Sequence, residues 1–208
     1  MINYAIKFLS LVFLFSCVSN ATDSSVKVDS IPIELYRSVF GYDTSSISKE
    51  IYDEYSFSFI QARIGRGPQA IFVLSKIDSN LFYWIGSNDE KIVTSNGKII
   101  MTEGLERNVV ARGYEPFQEN FRQFFSKDLY NPDAINLNVI SEIECNESKI
   151  TYLEVIEETT KCVETEKHID IEQTFKNIYQ YNNKKRPIYT EQKFHPFEPK
   201  IYLSFYYK

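Results

Sequence analysis

Two histidines, three cysteines and a run of glutamates are the side chains of this 208-residue sequence whose types suit chemistry. A nucleophilic enzyme needs a nucleophile, a base and a group that orients the base. His168 and His195 are the only imidazoles, and neither sits in a recognisable signature such as H-E-x-x-H. No G-x-S-x-G elbow occurs either. Both histidines are therefore read as structural. Glu142, Glu144, Glu157, Glu158, Glu164 and Glu166 form a carboxylate-rich region. Paired acids hydrolyse glycosides when they converge in a cleft. Here they fall on predicted strands, in the pattern of an ordinary solvated sheet face. No loop has the spacing of a calcium cage, so no catalytic residue, metal site or cofactor is expected.

The cysteines divide by position. Cys17 closes a short leader: one lysine near the start, an apolar run over residues 8–15, then Leu14-Phe15-Ser16-Cys17. That run has the size of a signal h-region and falls short of the ~20 apolar residues that span a bilayer. Leu three positions before Cys, with a small residue just ahead of it, resembles a bacterial lipobox. Its chemistry needs a thiol there: the sulfur takes diacylglycerol, the preceding peptide bond is cut, and the new amino group is acylated. Several acyl chains anchor firmly where one holds only marginally. Residues 1–16 thus read as a lipoprotein signal peptide, residues 17–30 as the lipidated start and a polar tether. Val18 stands where Asp would act as a retention signal, so likeness to lipoprotein sorting implies the periplasmic face of a Gram-negative outer membrane.

Cys145 and Cys162 would share an oxidising compartment, where a disulfide persists. If they lie on strands flanking a third over residues 149–157, they stand two strand spacings apart, roughly 9–10 Å. A bridge tolerates at most about 7 Å between Cα atoms. Two buried thiols are thus preferred to a Cys145–Cys162 bridge, which stays the alternative.

These groups must be positioned by a chain that is 43% apolar and carries 15 Tyr and 16 Phe, enough for a packed core. Its net charge of −5, with no basic stripe, excludes nucleic acid as a partner. Residues 31–40 have helical spacing, with Pro32 early and Gly41 just beyond. From Tyr55 the period becomes two. Strands are predicted over residues 55–61, 70–75, 81–85, 91–94 and 98–102, with turns at Gly65–Pro68 and at Asp78–Asn80. Asn96-Gly97 between β-branched residues signals a two-residue hairpin. Phe117, Phe121, Phe124 and Phe125 share one helical face, predicting a helix over residues 115–127. Further strands are expected over 135–144, 149–157, 161–166, 172–181, 187–194 and 201–206. No gap is long enough for a crossover helix. The fold class is mainly β: an antiparallel meander forming a curved sheet or barrel, with one or two short helices, in a single domain over residues 31–208. Tyr83, Trp84, Tyr179, Tyr181 and Tyr189 could stack on sugar rings, Tyr83 and Trp84 first, but strands favour aromatics and most of the five are expected in the core.

Ala70–Leu74, then Trp84, then Ile92-Val93-Thr94-Ser95-Asn96-Gly97-Lys98-Ile99-Ile100-Met101-Thr102-Glu103-Gly104-Leu105, resembles the YjbF/GfcB-type lipoproteins encoded with group 4 capsule and related exopolysaccharide genes. Lys98 stands where Arg is usual, and Met101 replaces a basic residue. Phe175–Tyr179, Cys162 and Gln192 extend the likeness. The resemblance implies a β-rich, barrel-like fold, a lipid anchor on Cys17 and a non-enzymatic role in capsule or exopolysaccharide assembly or export. Expected partners are the membrane, polysaccharide-export proteins or the glycan itself. A lipid- or lipoprotein-carrying half-barrel is the alternative, and a glycan-acting hydrolase ranks below it.

Overall fold

The computed structural model describes residues 47–115, 121–130 and 134–208. The signal peptide, Cys17, the tether and the helix expected over residues 31–40 lie outside the described residues, as do residues 116–120 of the expected second helix. The one described helix, α1 (Lys49–Glu54), is capped by Ser48, whose side chain accepts from the Ile51 amide.

Twelve strands follow: β1 (Phe59–Ile64), β2 (Gln69–Asp78), β3 (Leu81–Ile85), β4 (Lys91–Ser95), β5 (Lys98–Glu103), β6 (Asn108–Arg112), β7 (Arg122–Tyr130), β8 (Ile135–Tyr152), β9 (Val155–His168), β10 (Gln173–Tyr181), β11 (Pro187–Gln192) and β12 (Ile201–Tyr206). Each pairs antiparallel with the next, and β1 pairs with β12 over Phe59↔Tyr206 to Ile64↔Ile201, so the meander closes into a barrel. Closure leaves no edge between first and last strands. The Asn96–Gly97 turn joins β4 to β5 with both residues at positive φ, 48° and 82°. That conformation suits a two-residue hairpin and is costly for most side chains. At Gly97 an added Cβ would also sit 2.7 Å from Pro187 Cβ.

The interior is divided. Ile60, Trp84, Ile92, Leu129, Leu137, Leu203 and Phe205 fill one part and are all buried. Trp84 Nε1 donates to Thr94 Oγ1 at 2.9 Å. The other part is polar, and it explains two departures from expectation. Residues 122–127 are strand, not helix. Gln123, Phe125, Lys127 and Leu129 alternate inward on β7, and Phe124 is 68% exposed. The helical spacing of phenylalanines arose because two of the inward positions are polar, which hid the period of two.

The third expected strand over residues 149–157 does not exist as such. β8 runs on to Tyr152 and turns at Leu153–Glu154, both at positive φ, and β9 returns from Val155. One long hairpin replaces three strands, so Cys145 and Cys162 are direct cross-strand partners. Their Cα atoms are 4.0 Å apart and a disulfide joins them. The preference for two free thiols is corrected: the assumed intervening strand was the far end of β8, the turn and the start of β9.

Candidate functional site

The inward positions of β9 after Cys162 are Glu164, Glu166 and His168, all fully buried. The expectation of a solvated glutamate face is wrong for these two acids. They follow Cys162 in steps of two, so strand geometry sends all four side chains to the same side. Glu142, Glu144 and Glu158 are exposed, and Glu157 is half-buried.

Every oxygen of the two carboxylates is engaged. Glu164 Oε1 accepts from Lys98 Nζ and from Ser141 Oγ. Its Oε2 accepts from Asn177 Nδ2 at 3.0 Å and Tyr179 Oη at 2.7 Å. Glu166 Oε1 accepts from Lys98 Nζ, and Oε2 accepts from Lys127 Nζ at 2.6 Å. His168 Nε2 lies 3.2 Å from the same Oε2. The Lys98 ammonium also sits over the rings of Tyr114 and Phe125, at 4.8 and 4.7 Å. Five strands (β5, β7, β8, β9 and β10) meet in this network.

The electrostatics follow from burial and pairing. Burial alone would raise the Glu166 carboxyl, but Lys127 and Lys98 together hold it well below its usual range. Burial works against the Lys98 charge, and Glu164 and Glu166 more than offset it, so its pKa lies above the ordinary lysine value. Lys127 is lowered, because burial outweighs its pairing with Glu166. Burial pushes the Tyr114 hydroxyl up to about 12. The two acids thus share two cations in the buried interior. None of these groups lines either of two grooves beside the β8–β9 hairpin. The arrangement ties five strands together through buried charge pairs and hydrogen bonds. No group of three or more His, Cys, Asp or Glu side chains that could hold a metal occurs among the described residues.

Residues singled out in the sequence converge here. Lys98 follows the Asn96–Gly97 turn, and Asn177 and Tyr179 come from β10. Gln192 accepts from the Ile99 amide at 2.9 Å and donates to the Gly97 carbonyl at 2.7 Å, clamping the turn from β11. His195 is buried away from the cluster's bonds, and its Nδ1 accepts from the Phe197 amide. Burial, reinforced by Arg107 and Lys127, lowers its pKa to about 4.

A second feature lies outside the barrel. Pairing of β8 with β7 ends at Glu142, and pairing of β9 with β10 ends at Thr160. Beyond those points the hairpin is an arm whose strands pair only with each other among the described residues. Its tip folds back on the barrel wall. The Tyr152 ring stacks on Tyr206 with centroids 5.8 Å apart, and Tyr206 stacks on Phe59 at 4.8 Å. Tyr152 Oη donates to the Phe205 carbonyl at 2.7 Å. Between arm and wall runs a cleft of about 310 Å³, against residues 150–153 on one side and the outward positions of β1, β2, β11 and β12 on the other. A neighbouring groove of about 540 Å³ runs beneath the arm toward Asn182–Lys184 and Arg186.

The candidate stacking residues are redistributed by this geometry. Trp84 is fully buried against Phe82, Phe205 and Tyr207, so its ring offers no face to a ligand. Tyr83 is half-buried on β3, away from both grooves, with Lys76 over its ring. Tyr179 and Tyr181 point inward and are buried. Of the five, Tyr189 alone lines the cleft. Tyr152, Tyr202 and Tyr206 join it there and carried no recognisable sequence signal, because only the folding-back of the arm makes them a set.

The model of the family described as group 4 capsule polysaccharide lipoprotein GfcB, YjbF, matches residues 33–205. The chain belongs to the YjbF family. A solved structure described as the hypothetical lipoprotein YmcC from Escherichia coli (K12) superposes with a TM-score of 0.71 at 13% identity. The match covers 91% of this chain and 98% of that one, and it shows a shared fold. No match was found among curated proteins. YjbF membership makes the chain one of a family of capsule-related, membrane-associated envelope lipoproteins.

Proposed function

We propose that this YjbF-family chain is a non-enzymatic lipoprotein held by acyl chains on Cys17 at the periplasmic face of the outer membrane, where it supports capsule or exopolysaccharide assembly or export through protein or glycan contacts. Residues 1–16 are the signal peptide in this reading, and residues 17–30 the lipidated tether. The observation that carries it is the family match over residues 33–205, in a chain that begins with a lipobox-like Leu14-Phe15-Ser16-Cys17. The filled interior favours this role over a lipid carrier, which needs a sizeable apolar cavity. Trp84, Phe205 and Leu203 occupy the space a cargo would take. The buried, fully bonded carboxylates likewise favour it over a hydrolase, whose acids must reach a substrate.

Labelling cells with a palmitate analogue tests the anchor. Wild-type protein is expected to carry label and to sediment with outer membranes, and Cys17→Ala to carry none. Label retained by Cys17→Ala would refute the anchor, as would wild-type protein found free of lipid.

A further inference from the structure

We propose that the cleft between the β8–β9 arm and the outer barrel wall binds a carboxylate-bearing oligosaccharide, an assignment that rests on the glycan-contact reading above and names its ligand class. The wall of the cleft presents Gln61, Arg63, Gln69, Tyr189, Tyr202 and Ser204. On β1 and β12 these are the outward positions, opposite Ile60, Leu203 and Phe205 in the core, and the buried Ala62 and Ile188 also line the cleft. Their exposure follows from strand alternation, and the arm then turns an open wall into a cleft. Its volume of about 310 Å³ falls at the lower end of the roughly 300–1,000 Å³ that small-molecule sites occupy.

The chemistry of the lining selects the ligand. Arg63 is the only formally charged residue in it. No carboxylate pairs with its guanidinium among the described residues. It lies over the Tyr202 ring, 4.6 Å from its centroid, and acts electrostatically on the neighbouring Tyr189 hydroxyl. In a protein of net charge −5, an uncompensated arginine in a cleft is an anion site, and its planar fork matches a carboxylate. Gln61 Nε2 donates to Gln69 Oε1 at 2.5 Å, so the two amides hold each other in place and still leave donors and acceptors for hydroxyls. Burial raises the Tyr189 hydroxyl to about 12, so that ring enters binding as a neutral donor. Amides and hydroxyls around one guanidinium, with tyrosine ring surface beside them, suit an acidic sugar unit better than an apolar acyl chain or a bare phosphate.

The test is calorimetric titration of the whole protein with hexagalacturonate, and with maltohexaose as the neutral counterpart. Saturable binding of hexagalacturonate is expected, about tenfold or more tighter than maltohexaose. Arg63→Gln and Gln69→Glu should each weaken it by about tenfold or more, the scale of one charge-assisted hydrogen bond. Both are half-buried positions on the cleft wall and outside the core, so melting temperatures should match the wild type. Absence of hexagalacturonate binding, equal binding of both oligosaccharides, or wild-type binding by both variants would each overturn the assignment. In a strain lacking the gene, Arg63→Gln that restores surface polysaccharide as fully as wild type overturns the cleft alone. A deletion strain with normal surface polysaccharide overturns the reading on which it rests.

Discussion

Replacing Lys98 by methionine keeps most of the side-chain volume and removes one charge from the centre of the polar network. Lys98 is 2% exposed and its ammonium is shared by Glu164 and Glu166. After the change Glu166 still has Lys127 and His168, and Glu164 keeps only Ser141, Asn177 and Tyr179, which are neutral donors. An unbalanced buried charge of this kind costs about 3–5 kcal/mol. For a domain of this size that lowers the melting temperature by about 6–20 °C, at about 2–4 °C per kcal/mol. Trp84 is the single tryptophan and lies in the apolar part of the interior, so its fluorescence in urea reports global unfolding. The double variant Lys98→Met with Glu164→Gln removes both charges and should recover much of the loss, because replacing a buried pair entirely is often near neutral. A Lys98→Met protein within about 1 kcal/mol of wild type would refute the matched-charge account, since the cost of an unpaired buried charge is several times that.

Other expectations follow from single positions. Gly97→Val should lower stability by more than about 1 kcal/mol in urea melts, since φ is +82° and the new Cβ meets Pro187 and Thr190; an unchanged midpoint contradicts the hairpin. Acidification should weaken the fold through His195, whose folded pKa of about 4 lies below its unfolded 6.5. The unfolded chain takes up the proton first, so stability falls as pH drops from 6.5 toward 4, by at most about 3 kcal/mol. His195→Gln should flatten urea midpoints measured across that window, and an unchanged slope would exclude His195 as the cause. Glu166, whose carboxyl is depressed, adds stability above its unfolded value near 4.5 that is lost as pH falls further. Reducing Cys145–Cys162, which are 17 residues apart, should cost about 2–4 kcal/mol. Alkylation and mass analysis of unreduced, denatured protein should leave both cysteines unmodified; their labelling would disprove the bridge.

The strands with apolar inward positions were legible: Leu81–Ile85 and Ile201–Tyr206 stand where alternation and turn residues put them. The Asn-Gly turn was legible because its residues tolerate positive φ. The polar half was not. On β7 and β9 the inward side chains include Gln123, Lys127, Glu164 and Glu166, so a pattern that equates inward with apolar inverts or dissolves. The β8–β9 turn is Leu153–Glu154, which carries no turn signal, and missing it misplaced the cysteines. The cue to the buried acids was their even spacing from Cys162. The cleft had no local signature, since it joins β1, β2, β11 and β12 to residues 150–153 of the arm, more than 80 residues from β1 in sequence.

The claim on which the functional account depends is that this barrel, tethered through Cys17, is needed to put polysaccharide on the cell surface. Surface polysaccharide measured as cell-associated sugar in a strain lacking the gene tests it. Loss is expected in the deletion, with restoration by the wild-type chain and little restoration by Cys17→Ala. Undiminished polysaccharide in the deletion strain, or full restoration by Cys17→Ala, would contradict it.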